Sequence, residues 1–188
     1  MMSPRWRLAL FALVCAAQLA VAGSIIARSE RVIEAGELLR FRTAPVDPAD
    51  LVRGRYVALA FRETSGPPRD AAPFAEGDGA FALLEVDAEG FAKVTGVAHA
   101  RPATGAYLEV AVRNATPELV TFRFPVDRFY MPEEQAPAAE RAHREALSGG
   151  RGTWAEIRVY DGRAQIEQLV VDGVPVSELA AGEAHQSR

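Results

Sequence analysis

The sequence is poor in cysteine and histidine, with one cysteine and three histidines in 188 residues. Cys15 lies inside an apolar run near the amino terminus, so the rest of the chain cannot contain a disulfide framework. His99, His143 and His185 lack the helical or hairpin spacing that brings two ligands to one metal ion. These scarcities argue against a zinc site.

The chain also has no excess of basic over acidic residues. The net charge is -4 and the pI is near 5.5. Arginines alternate with acidic residues along the chain, and Lys93 is the only lysine. This pattern argues against nucleic-acid binding, because no positive field faces a phosphate backbone. No serine motif accompanies Lys93, and no glycine-rich phosphate loop stands between a strand and a helix. No cofactor is therefore predicted.

A long uncharged run is present from Leu8 to Ile26. As a helix, its roughly 19 residues would extend about 28 Å, close to the hydrocarbon thickness of a bilayer. Arg5 and Arg7 precede it, as expected for an anchor or a secretory signal. The small residues "AVA" at 20–22 fit a cleavage site, but the run is long for a signal peptide. We therefore assign residues 1–31 to a membrane anchor, with a signal peptide as the alternative.

From Val32 onward the pattern predicts a mainly β (α+β) domain over residues 32–180. Short alternating runs separated by Gly, Pro and Asp are typical of antiparallel strands. They predict an antiparallel sheet, or a small barrel or sandwich, with one short helix and a flexible tail at 181–188. The predicted strands are Leu38–Thr43, Tyr56–Arg62, Ala80–Val86, Phe91–Val97, Ala106–Arg113, Leu119–Phe124, Thr153–Tyr160 and Ala164–Val171.

The connections between these strands carry several signals. Asp161 and Gly162 predict a two-residue type I′ hairpin turn. The segment 131–150 predicts the helix, with Phe129, Tyr130 and Met131 as its apolar anchors. Residues 63–79 are rich in Pro, Gly and charge, which predicts a mobile loop.

The stretch "PVDPADLVRGRYVALAF" predicts a rigid acidic corner before a strand. Proline fixes the backbone, Asp47 and Asp50 accept N–H bonds at turns, and Gly54 permits a close approach. Arg53 or Arg55 is suited to brace the corner through a charge-assisted hydrogen bond. Val57, Leu59 and Phe61 are then predicted to face the core.

Carboxylates offer the main catalytic alternative. Asp47, Asp50, Glu133 and Glu134 are candidates for an acid/base pair or a hard-cation site if the fold brings them together. Each also has an ordinary structural role, in an Asx turn, a cap or a helix start. The structural interpretation is favoured.

The octet "GRYVALAF" at 54–61 resembles the signature of the GDYXXLXY family of bacterial membrane-anchored proteins. Gly54, Tyr56 and Leu59 match it, Arg55 replaces the acid, and Phe61 replaces the last tyrosine. The single span, "RFYMPEE" and "DGRAQIEQLVVDGVPV" are also similar to the family layout. The resemblance implies a membrane-anchored protein of the bacterial envelope with one span, and it suggests a multi-pass membrane protein as the partner. A short tail inside and a long domain outside is the commoner arrangement, so we expect the β domain on the periplasmic side of the inner membrane.

The leading hypothesis is a non-catalytic binding or accessory module attached to the membrane. Tyrosine, arginine and acids on turns are common in recognition surfaces. The candidate interaction residues are Asp47, Asp50, Arg53, Gly54, Tyr56, Leu59, Tyr130, Pro132 and Glu133. The alternatives are an envelope hydrolase or metal-binding domain that uses the clustered carboxylates, and a ligand carrier with a pocket inside a small barrel.

Overall fold

The computed structural model describes residues 4–45 and 56–180, and its domain is mainly antiparallel β. This confirms the predicted fold class. The elements in chain order are α1 Pro4–Ala35, β1 Glu37–Ala44, β2 Tyr56–Ala58, β3 Ala60–Phe61, β4 Ser65–Gly66, β5 Gly79–Val86, β6 Ala92–Ala98, β7 Tyr107–Ala115, β8 Val120–Arg123, β9 Arg128–Tyr130, α2 Ala136–Ser148, β10 Thr153–Tyr160, β11 Arg163–Val171 and β12 Val174–Pro175.

The described strands form two five-stranded sheets and a short ribbon. The first sheet has the order β12-β11-β10-β1-β3, the second has β4-β8-β7-β5-β6, and β2 pairs with β9. The second sheet curls into a nearly closed barrel. Its two ends meet where the Val97 N–H donates to Pro67 O at 2.9 Å and the Arg69 N–H donates to Val97 O at 2.8 Å.

One hydrophobic core joins the sheets. Alternate residues of each strand point inward, as the period of two requires. Its largest fully buried apolar side chains are Phe41, Val57, Val97, Leu108, Val120, Phe122, Ile157, Leu169 and Val176. Leu59 and Phe61 are also buried, so all three core residues predicted for the "RYVALAF" strand are confirmed.

Two connecting regions differ from the predictions. The strand predicted at Tyr56–Arg62 is divided at Leu59, because β2 pairs with β9 whereas β3 pairs with β1. The predicted loop at 63–79 contains β4 and lies against the barrel. Its Phe74 ring stacks on His99, with 3.8 Å between the ring centroids.

The predicted Asp161–Gly162 turn is confirmed, with positive φ values of 51° and 77°. The Gly162 carbonyl accepts a 2.7 Å hydrogen bond from the Glu109 N–H, which attaches the turn to the barrel. A Cβ at Gly162 would lie 2.6 Å from Glu109 Cγ and 2.8 Å from Tyr107 Cε2. Glycine is therefore required there for both its backbone conformation and its small size.

Helix α1 extends to Ala35, beyond the change of pattern at Val32. Its final turns pack on the first sheet, with Val32 buried. The Ser29 hydroxyl donates to Gln165 Oε1 at 3.2 Å. At Gly36 the chain turns into β1, and Arg158 Nη1 donates to the Gly36 carbonyl at 3.1 Å. A Cβ at Gly36 would overlap the Val32 carbonyl oxygen. We call these contacts the Gly36 junction.

Helix α2 is attached to the first sheet by a buried polar chain. His143 Nε2 lies 3.1 Å from Thr43 Oγ1, which is 2.6 Å from Thr153 Oγ1. All three residues are buried. Burial lowers the pKa of His143 from 6.5 to about 4, because the charged imidazolium would lose its hydration. The imidazole is therefore neutral at physiological pH.

We expect this neutral histidine to make stability depend on pH. The unfolded chain binds a proton near pH 6.5 and the folded chain near pH 4. The contribution of His143 to stability should therefore be fully present above pH 6.5 and should fall, by up to roughly 3 kcal/mol, as the pH drops toward 4. Chemical unfolding of the full chain in detergent micelles, followed at several pH values, measures this slope.

Two variants separate titration from hydrogen bonding. His143→Gln should flatten the slope between pH 4 and 6.5. Thr43→Val keeps the histidine, so it should lower stability by about 1–3 kcal/mol at every pH and leave the slope in place. An unchanged slope in His143→Gln would show that His143 is not the source.

Candidate functional site

The β2–β9 ribbon brings two candidate residues face to face. Tyr56 and Tyr130 are 74 positions apart in the sequence but are cross-strand partners in the ribbon. Their ring centroids are 5.8 Å apart and the rings are tilted by 60°. Tyr130 is 66% exposed, so the pair presents an aromatic surface to solvent. Such pairs also stabilise a two-stranded ribbon.

Arg128 completes this surface. Its guanidinium carbon lies 5.0 Å from the centroid of the Tyr56 ring, within the range of a cation–π interaction. Its Nε is 3.6 Å from Asp127 Oδ1. A hydrogen bond with the Tyr130 side chain, followed by the charges of Tyr56 and Asp127, raises the pKa of Arg128. We call Tyr56, Arg128 and Tyr130 the tyrosine–arginine surface.

Strand periodicity explains which side chains reach this surface. Tyr56 and Tyr130 point outward, whereas their neighbours Val57 and Phe129 point toward the core. The prediction that Tyr130 anchors α2 is therefore wrong, because Tyr130 lies on the outer face of β9. Phe129 and Met131 do pack against the core.

The other described candidates have different positions. Leu59 is buried, and its N–H donates to Asp127 O at 2.8 Å. It therefore attaches the ribbon to the core at the end of β2. The Pro132 carbonyl accepts the N–H of Gln135 at 2.9 Å in the turn before α2. Glu133 is exposed in the same turn.

The remaining candidates, Asp47, Asp50, Arg53 and Gly54, lie outside the described residues. The carboxylate alternative, a hydrolase or metal-binding domain, depends on Asp47 and Asp50, so it stays a prediction. Among residues 4–45 and 56–180, no group of three or more His, Cys, Asp or Glu side chains is arranged to hold a metal ion.

A family model described as GDYXXLXY protein matches residues 18–169. The chain belongs to the GDYXXLXY family. No curated protein and no solved structure matches it. In this GDYXXLXY chain, the signature Tyr56 and Leu59 serve opposite faces: Tyr56 belongs to the exposed surface and Leu59 to the core. The signature therefore contributes one residue to the exposed surface of the ribbon and one to the core beneath it.

A second group of charged and aromatic residues connects β1 to the β5–β6 hairpin of this GDYXXLXY domain. Arg42 Nη1 donates to Asp87 Oδ2 at 2.8 Å, and its guanidinium carbon lies 4.0 Å from the Phe91 ring centroid. The Phe91 ring meets Trp154 edge to face at 5.9 Å. The Phe91 N–H, with help from Arg42, lowers the pKa of Asp87. The Arg42–Asp87 ion pair therefore links β1 of the first sheet to the β5–β6 hairpin of the barrel.

Glu63 lies in the electrostatic field of the Arg42–Asp87 pair. Its Oε2 and the Nε1 of Trp154 are buried and have no hydrogen-bond partner within the described part of the chain. Burial raises the pKa of Glu63 above 4.5, although Arg42 and Arg62 act in the opposite direction. A partly buried carboxylate without a partner for one oxygen destabilises a fold, and such groups are common at functional sites.

Sequence reasoning missed Arg128, Glu63 and Trp154 as candidates. The alternation in "DRFY" places Arg128 on the same face as Tyr130, so this signal was available. Nothing local singles out Glu63 or Trp154, because their burial depends on how the two sheets meet.

Glu63 should destabilise the folded chain at neutral pH. Its folded pKa is raised, so the folded state holds the proton more tightly, and stability falls as pH rises above 4.5. Glu63→Gln removes the buried charge. We therefore expect it to stabilise the protein against denaturant more at pH 7.5 than at pH 4.5.

Glu118→Gln is the control, because Glu118 is exposed in the β7–β8 turn. It should change stability little at either pH. A loss of stability in Glu63→Gln at pH 7.5 would mean that the carboxylate makes net favourable contacts, which would contradict this account.

Proposed function

We propose that the protein is a non-catalytic accessory module of the bacterial inner membrane. In this proposal α1 crosses the membrane once, the β domain lies on the periplasmic side, and the tyrosine–arginine surface binds a multi-pass membrane protein. The cross-strand pairing of Tyr56 with Tyr130 beside Arg128 is the observation that carries the proposal.

The anchor is supported by the exposed apolar surface of α1. Within Leu10–Ala35 the helix contains an 18-residue apolar segment that is not buried against the β domain. Exposed apolar side chains include Leu10, Phe11, Leu13, Leu19 and Ile25. In water these side chains would be unfavourably hydrated, whereas a bilayer solvates them.

The composition of the tyrosine–arginine surface favours a protein partner. Tyrosine and arginine are enriched among the residues that contribute most to protein interfaces. The two rings are held by paired strands, so little conformational entropy is lost when a partner binds. The Arg128 guanidinium offers a directional donor for a carboxylate or a backbone carbonyl. The resemblance to membrane-anchored proteins that accompany multi-pass neighbours supplies the class of partner.

Photo-cross-linking in intact cells tests the proposal. A photoreactive phenylalanine analogue replaces Tyr130 in the full chain, and the captured proteins are identified by mass spectrometry. We expect one multi-pass membrane protein to dominate. Arg128→Ala in the same chain should lower its yield several-fold, because the partner loses a charge-assisted contact.

The matched control places the analogue at Leu119, an exposed apolar residue at the β7–β8 turn. Arg123→Ala, at an exposed arginine of the barrel, controls for loss of charge. Capture of the same proteins from both positions, or a yield that does not respond to Arg128→Ala, would contradict the proposal.

A further inference from the structure

We propose that a cleft between α1 and the β10–β11 turn binds the phosphate group of an anionic phospholipid. The cleft is lined by Arg28, Arg31, Tyr160, Asp161 and Arg163 and has a volume of about 170 Å³. We call it the arginine cleft. The inference rests on the membrane anchoring proposed above and is independent of the tyrosine–arginine surface.

Two rigid elements bring the three arginines together. Arg28 and Arg31 are three residues apart on α1, so they share one helix face. Arg163 follows the Asp161–Gly162 turn and pairs across the hairpin with Tyr160. The turn is attached to the barrel through the Gly162 carbonyl, which keeps Arg163 facing the helix.

The arginines of the cleft have no acidic partner of their own in residues 4–45 and 56–180. The carboxylate of Asp161 is already engaged, because it accepts hydrogen bonds from Arg101 and, at 2.7 Å, from the Tyr107 hydroxyl. Burial, followed by the bond to Asp161, raises the pKa of Tyr107, so this hydroxyl remains a donor. The positive charge of the cleft is therefore available to a ligand.

The acidic residues nearest in the sequence do not cancel this charge. Glu30 and Glu34 lie on α1, but within the described ranges neither forms an ion pair with an arginine of the cleft. An adjoining cavity of about 370 Å³ shares Arg28 and Arg163 and is also lined by Ile25 and Glu109. Together the two cavities are lined by three arginines and by two acids, Asp161 and Glu109, so their net charge is positive.

The position of the cleft along α1 favours a lipid headgroup as the source of the phosphate. The apolar run ends at Ile26, so Arg28 and Arg31 stand about 3 Å and 8 Å beyond it along the helix axis. The headgroup layer of a bilayer is about 5–8 Å thick on each side. Both arginines therefore fall at the level of lipid phosphates when the run fills the hydrocarbon core.

The chemistry of the lining fits a phosphodiester. Arginine binds phosphate oxygens with paired N–H donors, and three arginines can surround one such group. Tyr160 is 42% exposed and adds a hydroxyl donor on an amphipathic ring, which suits the membrane interface. Ile25 supplies an apolar wall toward the bilayer, where the first carbons of an acyl chain would lie.

Native mass spectrometry of the full chain in mild detergent tests the inference. The probes are phosphatidylglycerol, phosphatidylcholine and inorganic phosphate. We expect phosphatidylglycerol to bind more tightly than phosphatidylcholine. Replacement of Arg28, Arg31 or Arg163 by Gln should lower the affinity for phosphatidylglycerol about fivefold each, the equivalent of about 1 kcal/mol per arginine.

Two further substitutions make the test specific. Arg163→Lys keeps the charge but loses the paired donors, so it should bind phosphatidylglycerol less tightly than the native chain and more tightly than Arg163→Gln. Arg123→Gln, on the barrel, should bind like the native chain. Tyr130→Ala should also leave lipid binding unchanged, which separates this site from the partner surface.

Each remaining outcome overturns the inference in a distinguishable way. Equal affinity for the two lipids, or no response to the Gln variants, would show that the cleft does not select an anionic headgroup. Inorganic phosphate that displaces phosphatidylglycerol with the same arginine dependence would show a site for free phosphate. The same spectra give the mass of the chain, so cleavage after Ala22 would reveal failure of the anchoring proposal.

Discussion

The continuous run from α1 into β1 is the constraint on which the rest of the arrangement depends. The last turns of α1 pack on the first sheet through Val32, and the Arg158 guanidinium holds the Gly36 carbonyl. β1 is paired on one side with β10 and on the other with β3. Because the sheet holds β1 on both sides, the helix and the sheet should move together. A flexible linker would have uncoupled the two.

With α1 anchored as proposed, this coupling would give both proposed surfaces a defined position relative to the membrane. The arginine cleft exists only where α1 meets the β10–β11 turn, and that meeting depends on the Gly36 junction. The tyrosine–arginine surface lies on a ribbon supported by Leu59 and by the adjacent α2. A module built in this way can hold one face toward lipid headgroups and offer another to a neighbouring protein.

Local chemistry made much of the fold predictable. Asp161 and Gly162 specify their turn because both require positive φ, and the alternation in "TWAEIRVY" specifies β10. Long-range pairing was not predictable. The division of the strand at Leu59 and the pairing of Tyr56 with Tyr130 depend on which distant strands compete for the backbone. The burial of Glu63 also depends on how distant strands meet. None of these three features could be derived from sequence spacing.

The most direct test of this account is a distance measurement by pulsed electron spin resonance on the full chain in lipid nanodiscs. One spin label is attached to Cys15 in α1, and the other to a cysteine introduced by Glu118→Cys in the barrel. A rigid Gly36 junction predicts one narrow distribution. Insertion of a Gly-Ser linker between Ala35 and Gly36 should broaden it, since the domain would then move relative to the helix. A broad distribution in the native chain would contradict the central claim that α1 and the β domain form one rigid unit.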